Sequence, residues 1–184
     1  MTLREQLSTA QRAQFSAEIA RRIVQLPQYQ SARVVLGYMN FGAEFESEIL
    51  ARQALADGKT LLLPKVNRTT NELDVYRVED LQHDLAPGLW NIREPLPERC
   101  ARVDALEQVD FILLPGVAFG RDGARLGYGG GFYDKLLGAL THSPALVAGA
   151  YSMQLVEGIP QEVTDRKVEY LVTEHETIHC GAGD

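Results

Sequence analysis

Apolar residues recur three and four positions apart at the start of the chain, then give way to short unbroken apolar runs separated by helix-period stretches. Thr2 and Glu5 have the spacing of a capping box, and Leu3, Leu7 and Ala10 continue along one helical face. A second helical segment is expected from Ser16, carrying Ile19 and Ile23 and ending near Pro27. Val34 to Tyr38 reads as a buried strand. Ser47 is placed to cap a helix bearing Ile49, Leu50, Ala54 and Leu55, Gly58 to stop it, and Leu61-Leu62-Leu63 to form the next strand. Leu73 to Val78 alternates like a strand with one wet face, whereas Leu81 to Arg99 carries three prolines and reads as an irregular excursion. A second strand–helix–strand unit follows: Phe111 to Leu114, a glycine-rich loop, a helix with Phe132, Leu136 and Leu140 on one face, and Leu146 to Ala150. Val168 to Val172 is the last strand. The pattern predicts a single α/β domain over 1–184, with a mostly parallel sheet, helices on both faces and right-handed crossovers.

Composition narrows the function. With 45% apolar residues in 184, the chain can bury one substantial core. A net charge of −7 speaks against general nucleic-acid binding, which draws affinity from Lys and Arg on phosphates. No apolar run reaches membrane-spanning length and the N-terminus lacks the apolar core of a secretory signal, so the expected location is the cytoplasm. Cys100 and Cys180 form no CxxC pair, which fits a reducing compartment.

The candidate chemistry lies in GARLGYGGGFYDKLL, Gly123 to Leu137. It follows a strand and leads into a helix, the place where ligands gather in open α/β sheets. Its glycines let backbone N–H groups approach an anion, and Arg125 adds a charged fork. It is not a Walker A loop, which requires GK[ST], nor GxGxxG, since Phe132 stands where glycine is needed. Asp134 would repel a bare phosphate and suits Mg²⁺ bridging to one, which favours a metal–nucleotide. The plainer alternative is a turn that packs the helix tightly. HExxH at His175 to His179 matches a zinc-peptidase pattern, but it follows a strand-like VEYLV run and reads better as a C-terminal tail.

The stretch PGVAFGRDGARLGYGGGFYD, Pro115 to Asp134, resembles the hallmark PGxxFxxxGxRLGxGxGYYD of the 5-formyltetrahydrofolate cyclo-ligase (methenyltetrahydrofolate synthetase) family. Phe132 replaces one of paired tyrosines, Gly120 a common aspartate, and Tyr128 stands where arginine is frequent. The likeness extends through Leu3-Arg4, Glu44 to Glu48, the GKxxxxPK pattern ending at Lys65, WNIxxP from Trp90 and IPxxxxD ending at Asp165. It implies a NagB/RpiA-like α/β fold and the ATP- and Mg²⁺-dependent cyclisation of 5-formyltetrahydrofolate to 5,10-methenyltetrahydrofolate, ADP and phosphate, through an iminium phosphate. It also implies small-molecule substrates only, with no nucleic acid or membrane partner, in a monomer or weak homo-oligomer. The family's nucleotide cradle falls on Arg4, Arg125, Leu126, Gly127, Tyr128, Gly129, Gly130, Gly131, Phe132 and Tyr133, with Arg125 and Tyr133 in catalytic roles. Its metal aspartates fall on Asp134 and Asp165. Its folate contacts fall on Met39, Glu44, Trp90 and Tyr133. Trp90 also reads as a packing anchor for its long loop. Members usually carry a phosphate-holding lysine shortly before the Leu-Arg pair, and here only Met1 and Thr2 precede it. Lys65, Lys135 or the α-amino group would substitute, or the nucleotide binds more weakly, or the activity differs. A phosphosugar isomerase or CoA-transferase relative and a non-catalytic binder are the rival readings.

Overall fold

The computed structural model describes residues 3–161 and 165–181. A single 3-10 turn, Leu3–Gln6, precedes helix α1 (Thr9–Val24). The expected Thr2–Glu5 capping box has Thr2 outside the described residues, with Glu5 in the 3-10 turn, and a second capping box opens α1. Ser8 is the cap, its hydroxyl accepting from Gln11 N while Gln11 accepts from Ser8 N. Ser16 is therefore mid-helix and fully buried on the face of Ile19 and Ile23, and Pro27 opens α2 (Pro27–Ser31) instead of closing α1.

The sheet strands are β1 (Val34–Leu36), β2 (Thr60–Asn67), β3 (Glu72–Val78), β6 (Ala101–Val103), β7 (Phe111–Leu113), β10 (Ala145–Gly149), β11 (Tyr170–Val172) and β12 (Thr177–His179). The order is β12-β11-β10-β7-β1-β2-β3-β6. The run from β11 to β2 is parallel, as expected, while β3, β6 and β12 add antiparallel edges. Two hairpins were not expected: β4 (Leu85–Pro87) with β5 (Arg93–Pro95) inside the excursion, and β8 (Ala118–Phe119) with β9 (Arg125–Leu126) inside the glycine-rich connection. Helices α3 (Glu48–Ala56) and α4 (Phe132–Gly138) complete the two strand–helix–strand units.

Both faces are covered, which is why the central strands read as unbroken apolar runs. Val35, Phe111, Leu113 and Val147 pack under α1 and α2 with Ile19, Ile23 and Tyr29, and Leu50 of α3 joins them. Their alternates Leu36, Ile112 and Ala148 pack on the other face against Leu136 and Leu137 of α4. From β1 the chain crosses to β2 under α3, and from β7 it crosses the opposite way to β10 under α4. Opposite directions on opposite faces preserve one hand of crossover. Among the described residues no helix is long and apolar enough to cross a membrane.

Candidate active site

The order of the parallel strands reverses between β1 and β7, so a crevice opens at their carboxyl ends. Residues 37–47 leave β1 on one side of it and residues 114–131 leave β7 on the other. The first segment is held from below. The Ser16 and Tyr151 hydroxyls lie 3.0 Å apart, Glu46 N donates to Ser16 Oγ at 3.1 Å, and Tyr151 OH donates to the Glu44 carbonyl at 3.1 Å. α1 and the end of β10 thereby fix the backbone that carries Glu44. Its carboxylate is buried, with Oε2 accepting from Phe41 N at 2.7 Å and Oε1 accepting from Tyr128 OH at 2.8 Å. Burial raises the Glu44 pKa against the lowering effects of Phe41, Tyr128 and Arg4.

Across the crevice, β8–β9 presents the Arg125 guanidinium. That side chain is 7% exposed, donates from Nη1 to Pro115 O at 3.3 Å and from Nη2 to Asp134 Oδ1 at 2.7 Å, and leaves Nε buried without a partner. Leu126 accepts from Val117 N at 2.7 Å, closing the hairpin, and Gly127 leads into the loop. Gly129 and Gly131 adopt φ of 86° and 64°, a region that side chains rarely enter, and Gly130 lies against the Phe132 ring. The loop thus turns tightly into α4, on whose first turn Tyr133 and Asp134 follow. Tyr133 packs against both core clusters. Burial first, and Glu44 next, push its phenol well above the ordinary range, which favours the neutral hydroxyl.

Arg4 reaches over from the N-terminal turn. It is 8% exposed, donates from Nη2 to Tyr128 OH at 2.6 Å, and leaves Nη1 buried without an acceptor. Arg4, Tyr128 and Glu44 form one hydrogen-bonded chain across the mouth of the crevice, with Tyr128 pushed up to about 12 by desolvation of its hydroxyl end and by Glu44.

An aromatic row flanks this chain. Phe41 stands edge-on to Tyr128 at 6.2 Å between ring centroids and faces Trp90 at 6.5 Å. The fold does not bury Trp90 as a packing anchor: it is 63% exposed at the tip of β4–β5, with φ of 54°, and Asn91 follows at 61°. Left-handed backbone at a tryptophan is strained and persists where the surroundings impose it. Here the restraint is local. Lys65 Nζ pairs with Glu94 at 2.9 Å, joining β5 to β2, and the Glu94 carboxylate fills the space a side chain on Gly88 would need. Gly88→Ala is expected to cost about 1–3 kcal/mol by overpacking, read as a lower melting temperature together with altered emission from Trp90, the chain's one tryptophan. Met39 is buried in the cluster beneath this region, among Leu61, Leu63 and Tyr76.

Two of the cations expected to take the role of the family's N-terminal lysine have other partners. Lys65 is the Glu94 partner, Lys135 donates to Asn71 O at 2.9 Å in the β2–β3 turn, and Met1 lies outside the described residues. Asp165 is partly buried in the irregular segment before β11. Among the described residues no three His, Cys, Asp or Glu side chains converge as a metal site. HExxH does not occupy a helix: His175 and Glu176 lie in the β11–β12 connection, Glu176 pairs with Arg121 at 2.6 Å, and His179 stacks on Tyr170 at 4.7 Å.

The chain matches the sequence profile of the 5-formyltetrahydrofolate cyclo-ligase family over residues 1–174. It belongs to that family. Among its cyclo-ligase relatives, the 5-formyltetrahydrofolate cyclo-ligase of Escherichia coli strain K12 is 30% identical over 171 residues, covering 92% of this chain and 93% of its own. The mouse protein of the same name is 29% identical over 176 residues, covering 91% and 86%. The solved 5,10-methenyltetrahydrofolate synthetase of Aquifex aeolicus superposes with a TM-score of 0.83 at 35% identity, over 98% of this chain and 89% of that one. The Mycoplasma pneumoniae synthetase, at 21% identity and a TM-score of 0.72, shares the fold. Within the cyclo-ligase frame, sequence reasoning missed Phe41, Ser16 and Tyr151. Ser16 was detectable as a polar residue on the stripe of Ile19 and Ile23, whereas Phe41 and Tyr151 carry no local signal.

Proposed function

We propose that the protein cyclises 5-formyltetrahydrofolate to 5,10-methenyltetrahydrofolate at the expense of ATP, releasing ADP and phosphate. The observation that carries this reading is the pair of arginines at the glycine-rich crevice, Arg4 and Arg125, each more than nine-tenths buried at its side chain or as a residue and each with an N–H that lacks an acceptor. Buried donors are seldom left unpaired, and triphosphate oxygens would satisfy both. Glu44, opposite, offers a carboxylate for the N–H donors of a pterin, and the Trp90–Phe41–Tyr128 row offers faces for its rings.

In the proposed reaction the formyl oxygen attacks the γ-phosphorus and the bond to ADP breaks. N10 then attacks the activated formyl carbon, loses its proton, and the carbon–oxygen bond to phosphate breaks. No protein nucleophile takes part. The residues align two substrates and compensate charge, which is where phosphoryl-transfer catalysis resides. Arg125 and the loop N–H groups hold phosphate oxygens, and Tyr133 offers a neutral hydroxyl beside Glu44.

Mg²⁺ takes one or two carboxylates and completes its shell with phosphates and water, and the Asp134 side chain, 36% exposed beside Arg125, is of a kind that suits it. Asp134, with Asp165 as the second carboxylate, would hold it, and the ion would supply charge neutralisation on the triphosphate. Asp134→Asn is expected to raise the Mg²⁺ concentration for half-maximal rate about tenfold or more; an unaltered Mg²⁺ titration removes Asp134 from this role.

The deciding experiment incubates the protein with 5-formyltetrahydrofolate, Mg²⁺ and ATP and follows methenyl absorbance. Product that forms only with ATP is the expected result. Binding of both substrates without product would make the protein a non-catalytic binder.

A further inference from the structure

Tyr128 touches both halves of the crevice. The residue is 56% exposed, yet its hydroxyl is spent inside, accepting from Arg4 Nη2 at 2.6 Å and donating to Glu44 Oε1 at 2.8 Å. A hydroxyl can do both at once. An arginine in its place could only donate, and would set a second cation against Arg4. Both ends of the chain also have capacity left. Arg4 Nη1 is buried and lacks an acceptor, and each Glu44 oxygen, accepting from Phe41 N or from Tyr128 OH, has a further lone pair.

A hydroxyl whose oxygen accepts from a guanidinium becomes a stronger donor, so the two links reinforce one another. An anion oxygen that pins Arg4 through Nη1 holds Nη2 on Tyr128 and the phenol on Glu44. A donor-bearing ring on Glu44 fixes the same chain from the other end, and ordering already completed for one ligand need not be repeated for the other. We infer that Tyr128 couples the two substrate sites, so that nucleotide phosphate on Arg4 and reduced folate on Glu44 each tighten the other's binding through its hydroxyl. Tyr128 is then a positioning residue for the reaction proposed above, and the inference rests on that reading.

The test is calorimetric titration of 5-formyltetrahydrofolate into the full chain, with and without saturating Mg²⁺ and the β,γ-imido analogue of ATP. The wild type is expected to bind folate at least about fivefold more tightly when the nucleotide is present, with the reciprocal experiment returning the same factor. Tyr128→Phe keeps the ring beneath the Arg4 guanidinium, 5.8 Å from its centroid, and is expected to bring the factor to about one. Tyr128→Gln restores a donor and an acceptor and is expected to regain part of it, an outcome a purely structural role would not give. A wild-type factor of one, or an undiminished factor in Tyr128→Phe, overturns the coupling while the catalytic reading stands. Failure of the wild type to bind either ligand or to form product overturns both. Should Tyr128→Phe prove unfolded by its melting curve, the Tyr128→Gln factor decides: partial coupling supports the inference and the full wild-type factor or none overturns it.

Discussion

Arg125→Ala is expected to lower kcat by about 10² or more, the loss typical of removing one preorganised charge donor from a transition state. The size follows from how the side chain is held. Pro115 O and Asp134 fix its fork, burial strips it of water, and Nε is left without an acceptor, so its orientation is prepared before substrate arrives. The fold should survive, because Arg125 lies on a two-residue strand outside the sheet and is not part of its apolar clusters. The check is kcat by methenyl absorbance beside a melting curve. A folded variant with undiminished kcat removes Arg125 from the chemistry.

Glu44→Gln is expected to raise KM for 5-formyltetrahydrofolate by about 10- to 100-fold with a smaller change in kcat. Hydrogen bonds to a charged group contribute about 1.5–3 kcal/mol each, and one such loss spans that range. Charge is what the substitution removes, since the amide oxygen can still accept from Phe41 N. The pH dependence separates this from misfolding. Burial raises the Glu44 pKa above the usual carboxylate range, so the acceptor form is lost as pH falls through that raised value. Wild-type kcat/KM should decline on the acid side at a higher pH than an ordinary carboxylate would give, and Glu44→Gln should lack that limb. Stability runs the other way. A carboxyl with a raised folded pKa favours the fold below its unfolded pKa and loses that contribution as pH rises through the folded value, so the neutral amide should hold the melting temperature near pH 7 or raise it. A variant with raised KM, no acid limb and an unlowered melting temperature is the expected combination; an unchanged KM removes Glu44 from the folate site.

The elements that were legible are those whose burial is local in origin. Val34–Leu36, Phe111–Leu113 and Ala145–Gly149 lie between two covered faces, and such strands carry their burial as continuous apolar runs. The β8–β9 hairpin was not legible, because two-residue strands held by the Ala118–Leu126 and Phe119–Arg125 pairings leave no periodic trace. The Leu81 to Arg99 stretch hid β4–β5 for another reason: its prolines suggested irregularity, and Pro87 and Pro95 in fact sit at the ends of strands outside the main sheet. The Ser8–Gln11 box that opens α1 has the same spacing as Thr2–Glu5, and the sequence reading did not single it out.

Sequence alone determined that this is an α/β chain whose glycine-rich connection lies beyond a buried strand, with Arg125, Tyr133 and Asp134 at fixed spacing around it, because those features depend on neighbours within a few residues. Only the tertiary structure decided that Arg4 and Glu44, 40 positions apart, meet on Tyr128, that Lys65 is committed to Glu94, and that Trp90 stands outside the core. Each of these depends on which loops the sheet order brings to the β1/β7 crevice, and burial and hydrogen bonding there are set by contacts between segments that sequence spacing does not encode.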